Sequence, residues 1–173
     1  MIEVIRQQFR EGQSQEARVN ITREFLQLLC LKVMSDRRMF DGLSFLGGTA
    51  LRILHGLRRY SEDLDFSVVG GKCPDMQAVL TYFTGDFARF GLSCEAKARS
   101  VGTVQSIALR FPVILKSLGL SALADQKLMI KWDVDTNPPA GADTEYSILS
   151  RQSRRGRPTS SADTRRQHTE ARS

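Results

Sequence analysis

Two short stretches of strict alternation constrain what this chain can fold into. Over residues 63–69, Leu64, Phe66 and Val68 fall on one side and Asp63, Asp65 and Ser67 on the other. Over residues 127–135, Leu128, Ile130, Trp132 and Val134 are set against Lys131, Asp133 and Asp135. Strand side chains point alternately to opposite faces. Each stretch therefore predicts a β-strand with an apolar face for a core and a charged face turned away from it. Acids two residues apart on such a face stand about 7 Å apart along the backbone.

The segments around these strands predict a small mixed sheet with helices on one side, an α/β or α+β fold. Residues 1–16 are polar and weakly patterned, whereas Ile21, Phe25, Leu28, Leu29 and Val33 follow helical spacing over 16–35. The N-terminal part, to about residue 40, is thus expected to be helical. Leu43–Leu46 reads as a short strand running into Gly47-Gly48, followed by a helix over 49–55 with Gly56 as its stop. Asp75 is the expected N-cap of a helix reaching Phe90 and ended by Gly91. Strands are expected over 92–99 and 103–111, joined through Ser100-Val101-Gly102. Pro138-Pro139 closes the strand over 127–135.

The net charge of +6 on 173 residues is unevenly placed. Residues 151–173 hold seven Arg against Asp163 and Glu170, leaving 18 basic and 17 acidic residues in 1–150. A basic nucleic-acid-binding body is therefore not supported. After Leu149 almost no large apolar residue remains, so residues 1–149 are expected to form one domain and 150–173 a disordered basic tail. No apolar run reaches membrane-spanning length, and the charged start Met1-Ile2-Glu3-Val4-Ile5-Arg6 lacks a secretory apolar region. A cytoplasmic protein without membrane partners is expected. Cys30 and Cys94 lie in apolar stripes as inert thiols and Cys73 lies in a Gly/Pro-rich loop, with no metal-ligand spacing among them.

The chemistry concentrates in three places. Phosphate oxygens need close approach by backbone N–H groups, which glycine permits, and Gly47-Gly48-Thr49 opens a helix whose N-terminal partial charge is positive. A lone Gly-Gly is more often a plain strand-to-helix turn. Asp63 and Asp65 share a strand face within joint reach of two metal ions, which can clamp the attacking and leaving oxygens of an in-line displacement. Taken alone, such a pair is slightly more often the solvated face of an amphipathic strand. If the strand over 127–135 lies beside them, Asp133 or Asp135 completes a three-acid cluster, and like charges so close call for a cation. The competing reading is an edge strand whose charges discourage aggregation. Phosphoryl or nucleotidyl transfer accounts best for all three together.

The blocks Phe45-Leu46-Gly47-Gly48-Thr49-Ala50-Leu51-Arg52, Arg59-Tyr60-Ser61-Glu62-Asp63-Leu64-Asp65-Phe66 and Lys131-Trp132-Asp133-Val134-Asp135-Thr136-Asn137-Pro138-Pro139 resemble the AbiEii/AbiGii toxin family. The resemblance spans roughly residues 17–149. It implies a nucleotidyltransferase-like fold of the polymerase-β superfamily and the toxin role of a type IV (AbiE-like) toxin–antitoxin system. The activity implied is metal-dependent transfer of a nucleotide from an NTP to a hydroxyl acceptor, RNA or protein, with a cognate antitoxin as partner. On this resemblance Asp63, Asp65 and Asp133 are catalytic and bind two magnesium ions. Asp133 is also the general base, ahead of Asp135. Gly47, Gly48, Thr49, Arg59, Ser61 and Lys131 bind the nucleotide, while His55 is structural and His168 has no assigned role.

Family members continue into a helical C-terminal region with its own Lys- and Asp-bearing motif, which the tail here does not resemble. The tail reads instead as a change of reading frame in GC-rich DNA, to be tested by translating the other two frames. The alternative function is then a catalytically inactive truncated fragment that binds nucleotide or a partner protein. A metal-dependent phosphodiesterase, or an Arg-rich arm for nucleic acid, ranks lower.

Overall fold

A computed structural model describes residues 1–71, 73–123 and 125–138. The expectations for the tail, including His168 and the reading-frame change, lie outside the described residues. In chain order the elements are α1 (Ile2–Arg6), α2 (Gln15–Asp36), a single 3-10 turn (Met39–Asp41), β1 (Leu43–Leu46), α3 (Gly47–His55), β2 (Asp63–Val68), α4 (Met76–Arg89), β3 (Glu95–Val101), β4 (Val104–Phe111), α5 (Ile114–Ser117) and β5 (Leu128–Asp135).

The strands form one five-stranded mixed sheet in the order β1-β2-β5-β4-β3. Strand β5, last in sequence, enters between β2 and β4, parallel to the first and antiparallel to the second. The other neighbours, β1 with β2 and β3 with β4, pair antiparallel. This is the mixed α+β architecture expected from the sequence.

One face of the sheet is the core. Leu64, Phe66 and Val68 of β2, Ile107, Leu109 and Phe111 of β4, and Leu128, Ile130, Trp132 and Val134 of β5 are all buried there. They pack with Leu26, Cys30 and Met34 of α2 and Val79, Phe83 and Phe87 of α4 in one cluster. Trp132 sits at its centre, with ring centroids 5.5 Å from Phe66 and 6.1 Å from Phe83, and its indole N–H donates to Met34 Sδ at 3.3 Å. Each pair in such an aromatic cluster adds about 0.5–1.5 kcal/mol beyond area burial. The helices are tied to one another by Arg37 at the end of α2, whose Nε and Nη2 donate to the Asp86 carboxylate of α4 at 3.2 and 2.9 Å.

Several local expectations need correction. Residues 1–16 are more than a polar lead, because α1 inserts a fully buried Ile5 into the core. The face that α2 buries is carried by Thr22, Phe25, Leu26, Gln27, Cys30, Leu31, Val33 and Met34, with Leu28 and Leu29 only partly covered. Strand β3 begins at Glu95 rather than 92. Leu92 is drawn instead into the cap of α4, its N–H donating to Phe87 O at 2.9 Å behind Gly91 (φ 71°). The turn to β4 is correspondingly Gly102-Thr103, two residues, as tight hairpins require.

Candidate functional site

The second face of the sheet has its own chemistry. Register places Asp63 opposite Lys131, Asp65 opposite Asp133 and Ser67 opposite Asp135, so acids from two separate strands meet on the face away from the core. On the same rows β4 contributes the small residues Ala108 and Ser106, and β3 contributes Lys97 and Arg99. Strand β5 is paired on both sides, so its charges are not an edge device. The edge-strand reading of 127–135 is ruled out.

Each acid is set in place by a different neighbour. The Thr49 hydroxyl, buried at the start of α3, donates to the backbone carbonyl of Asp63 and pins the helix to the beginning of β2. Gly47 has φ +78°, and a Cβ there would meet the Asp65 side chain, with Asp65 Cβ and Cγ both at 3.0 Å. Only glycine lets α3 start this close to that carboxylate. Gly48 is nearly as confined, since its Cβ would lie 3.2 Å from Ser61 Oγ. The α3 N-terminus, capped by Leu46, has no side-chain acceptor on its first N–H groups among the described residues. Gly47, Gly48, Ser61 and Asp65 therefore converge, with free backbone donors beside a carboxylate.

Lys131 stands among the acids. Its Nζ lies 2.5 Å from Asp133 Oδ2, while Asp133 Oδ1 is buried with no hydrogen-bond partner among the described residues. Burial first, then the charges of Asp133 and Glu62, pushes the Asp63 carboxyl up, against Lys131 and Arg23. Burial again, then Asp63 and Asp133, does the same to Asp65, with Lys131 opposing. Lys131 is raised in turn, chiefly by its hydrogen bond to Asp133 and further by the three acids, although partial burial opposes. Among the described residues, no three Asp, Glu, His or Cys side chains stand close enough to form a ready-made ion cage. Asp135 is spoken for locally, accepting from Asn137 N–H at 3.0 Å, one row beyond the Asp65–Asp133 pair.

The loop between α3 and β2 carries Arg59 and Ser61 and is strapped from two helices. Arg52 bonds Glu24 of α2 at 2.5 Å, donates to the carbonyls of Leu57 and Arg58, and stacks on the Tyr60 ring with 3.6 Å to its centroid. Gln27, buried in α2, donates to Ser61 O at 3.0 Å. Arg23 pairs with Glu62 at 3.2 Å. Arg59 itself is exposed and makes no ion pair among the described residues. Sequence reading missed these straps. Gln27 left one signal, a polar residue three, four and seven positions before the apolar Cys30, Leu31 and Met34. His55 lies exposed at the end of α3, its side chain makes no hydrogen bond or ion pair among the described residues, and Gly56 (φ 72°) closes that helix as expected.

A family model described as "Nucleotidyl transferase AbiEii toxin, Type IV TA system" matches residues 29–153, well over half of the chain. The chain belongs to the AbiEii family. The match begins inside α2 and takes in α3, α4 and all five strands, so the AbiEii domain contains every candidate site residue. No curated protein and no solved structure matches the chain. Among the described residues, no helix is long and apolar enough to cross a membrane.

Proposed function

We propose that the chain is a metal-dependent nucleotidyltransferase that moves a nucleotide from an NTP to a hydroxyl acceptor. It would act as the toxin of a type IV toxin–antitoxin system, with a cognate antitoxin as partner. The observation that carries this reading is the pairing of Asp65 with Asp133 across β2 and β5, beside a helix start that only Gly47 permits.

The residues present fit magnesium. Their donors are all carboxylate oxygens, which hard divalent cations prefer, and Asp133 Oδ1 is a buried acceptor without a partner among the described residues. Asp63, Asp65 and Asp133 would hold two ions, which when bound supply charge neutralisation at the transferring phosphoryl group. The chain's own contributions are orientation and proton handling. The free N–H groups at Gly47, Gly48 and Thr49 bind triphosphate oxygens, although the Thr49 hydroxyl is committed to β2. Ser61, held against Gly48, adds a donor at the same spot, and Arg59 and Lys131 bring positive charge. Asp133 takes the proton of the acceptor hydroxyl. Lys97, Arg99 and Arg110 lie on the same face with no ion pair among the described residues, which favours a phosphate-bearing acceptor such as RNA over a protein.

Labelled-nucleotide transfer tests this directly. With magnesium and each of the four NTPs, wild type should label an acceptor, and Asp63→Ala, Asp65→Ala and Asp133→Asn should each lower incorporation at least a hundredfold. The lack, among the described residues, of three acidic side chains close enough to cage an ion favours the second reading, an inactive protein that binds nucleotide or a partner. Absence of label from wild type with every NTP and acceptor would select that reading.

A further inference from the structure

We infer that Lys131 is the site's own counter-cation, its ammonium neutralising Asp133 until a metal ion displaces it. This inference rests on the metal-dependent reading above.

Three observations support it. Lys131 projects from β5 on the same face as Asp133, two residues along, and stands in register with Asp63. Its Nζ contacts one Asp133 oxygen at 2.5 Å, while the other is buried and unpartnered among the described residues. The two ends of the pair are unlike: the Lys131 side chain is 46% exposed, and that of Asp133 only 16%. The carboxylate is fixed and the ammonium is free to leave. A four-carbon stem on a strand face lets the charge swing several ångströms without any backbone change.

The charges facing the ammonium explain why it rests there. Besides Asp133, which holds it by a hydrogen bond, Asp63 and Asp65 of β2 act on it with the same sign. Across β5, the row holding Lys131 continues through Ala108 to Lys97, and Glu95 on the same face of β3 is held by Lys127 at 2.8 Å. A divalent ion reaching Asp133 must break this ion pair, which lowers the affinity for metal alone. Nucleotide phosphates give the displaced ammonium a new anion, so metal and nucleotide favour each other's binding through Lys131.

The experiment measures Mn²⁺ binding to the full chain without nucleotide, by electron paramagnetic resonance of the free ion. Lys131→Met should bind Mn²⁺ roughly threefold to tenfold tighter than wild type, since a half-exposed ion pair is worth about 1 kcal/mol. Lys131→Arg, which keeps the charge, should bind no tighter than wild type. Thermal melting gives a second readout, in which saturating Mn²⁺ raises the Tm of Lys131→Met more than that of wild type. If Lys131→Met binds Mn²⁺ no tighter than wild type while Asp133→Asn weakens binding, this inference falls and the metal-dependent reading stands. If no form binds Mn²⁺ even with nucleotide present, both fall together.

Discussion

Replacing Gly47 with alanine should do two separable kinds of damage. The residue has φ +78°, in the left-handed region where an L side chain costs about 1–2 kcal/mol. The new methyl would also stand 3.0 Å from Asp65 Cβ and Cγ, with the carboxylate oxygen nearer still, and overpacking of this kind costs roughly 1–3 kcal/mol. Gly56 supplies the control, with nearly the same φ of +72° and nothing within 4 Å of its missing Cβ. Gly56→Ala should therefore cost the conformational part alone, about 1–2 kcal/mol. Gly47→Ala should exceed it by the steric part, for a total of about 2–5 kcal/mol. Urea unfolding at matched slope gives both numbers. Transfer assays on the same proteins should show Gly47→Ala inactive from displacement of Asp65, and Gly56→Ala nearly unchanged. Equal destabilisation of the two variants would refute the claim that the glycine is there to make room for that carboxylate.

The fold and its surface chemistry suggest two further tests. Arg37→Ala leaves the 12%-exposed Asp86 carboxylate with only Arg89, so urea unfolding should show a loss of roughly 1–3 kcal/mol, reduced from the fully buried case because Arg37 is partly exposed. For the cysteines, burial pushes Cys30 well up, pushes Cys94 up to about 12 and raises the exposed Cys73 less. Because the thiolate is the reactive form and its fraction grows as pH approaches the pKa, native protein at pH 8 should react slowly with a disulfide reagent and faster as pH rises. Cys73→Ser should remove the first reacting thiol, with Cys30 modified only on unfolding.

Much of this architecture was legible because its signals are local. The alternation over 63–69 and 127–135 announces strands with one dry face, and it also gives which residues share the acidic face. Asp75 and Gly91 mark the ends of α4 through the chemistry of single residues, a cap at 2.9 Å to Gln77 N and a left-handed stop. What stayed hidden depends on distant partners. Five residues around Ile5 carry too little periodicity to declare α1, and only the core they enter makes them a helix. Leu92 looks like strand sequence but is captured by the preceding helix cap. The Asp65–Asp133 register was the largest unknown, because no local pattern says which strand lies beside which. The same holds for Glu24 and Gln27, which lie 28 and 34 residues before their partners Arg52 and Ser61 and give no local sign of contact.

The position of β5 has a bearing on biosynthesis. A ribosome delivers β1 and β2 early, then the β3–β4 hairpin, and only afterwards the strand that joins these two pairs. Until residues 128–135 emerge, each half-sheet presents an open edge, the kind of surface that invites mispairing and slows folding. On the reading proposed above, activity would wait for that final, central piece, since the two acidic strands become neighbours only when it arrives.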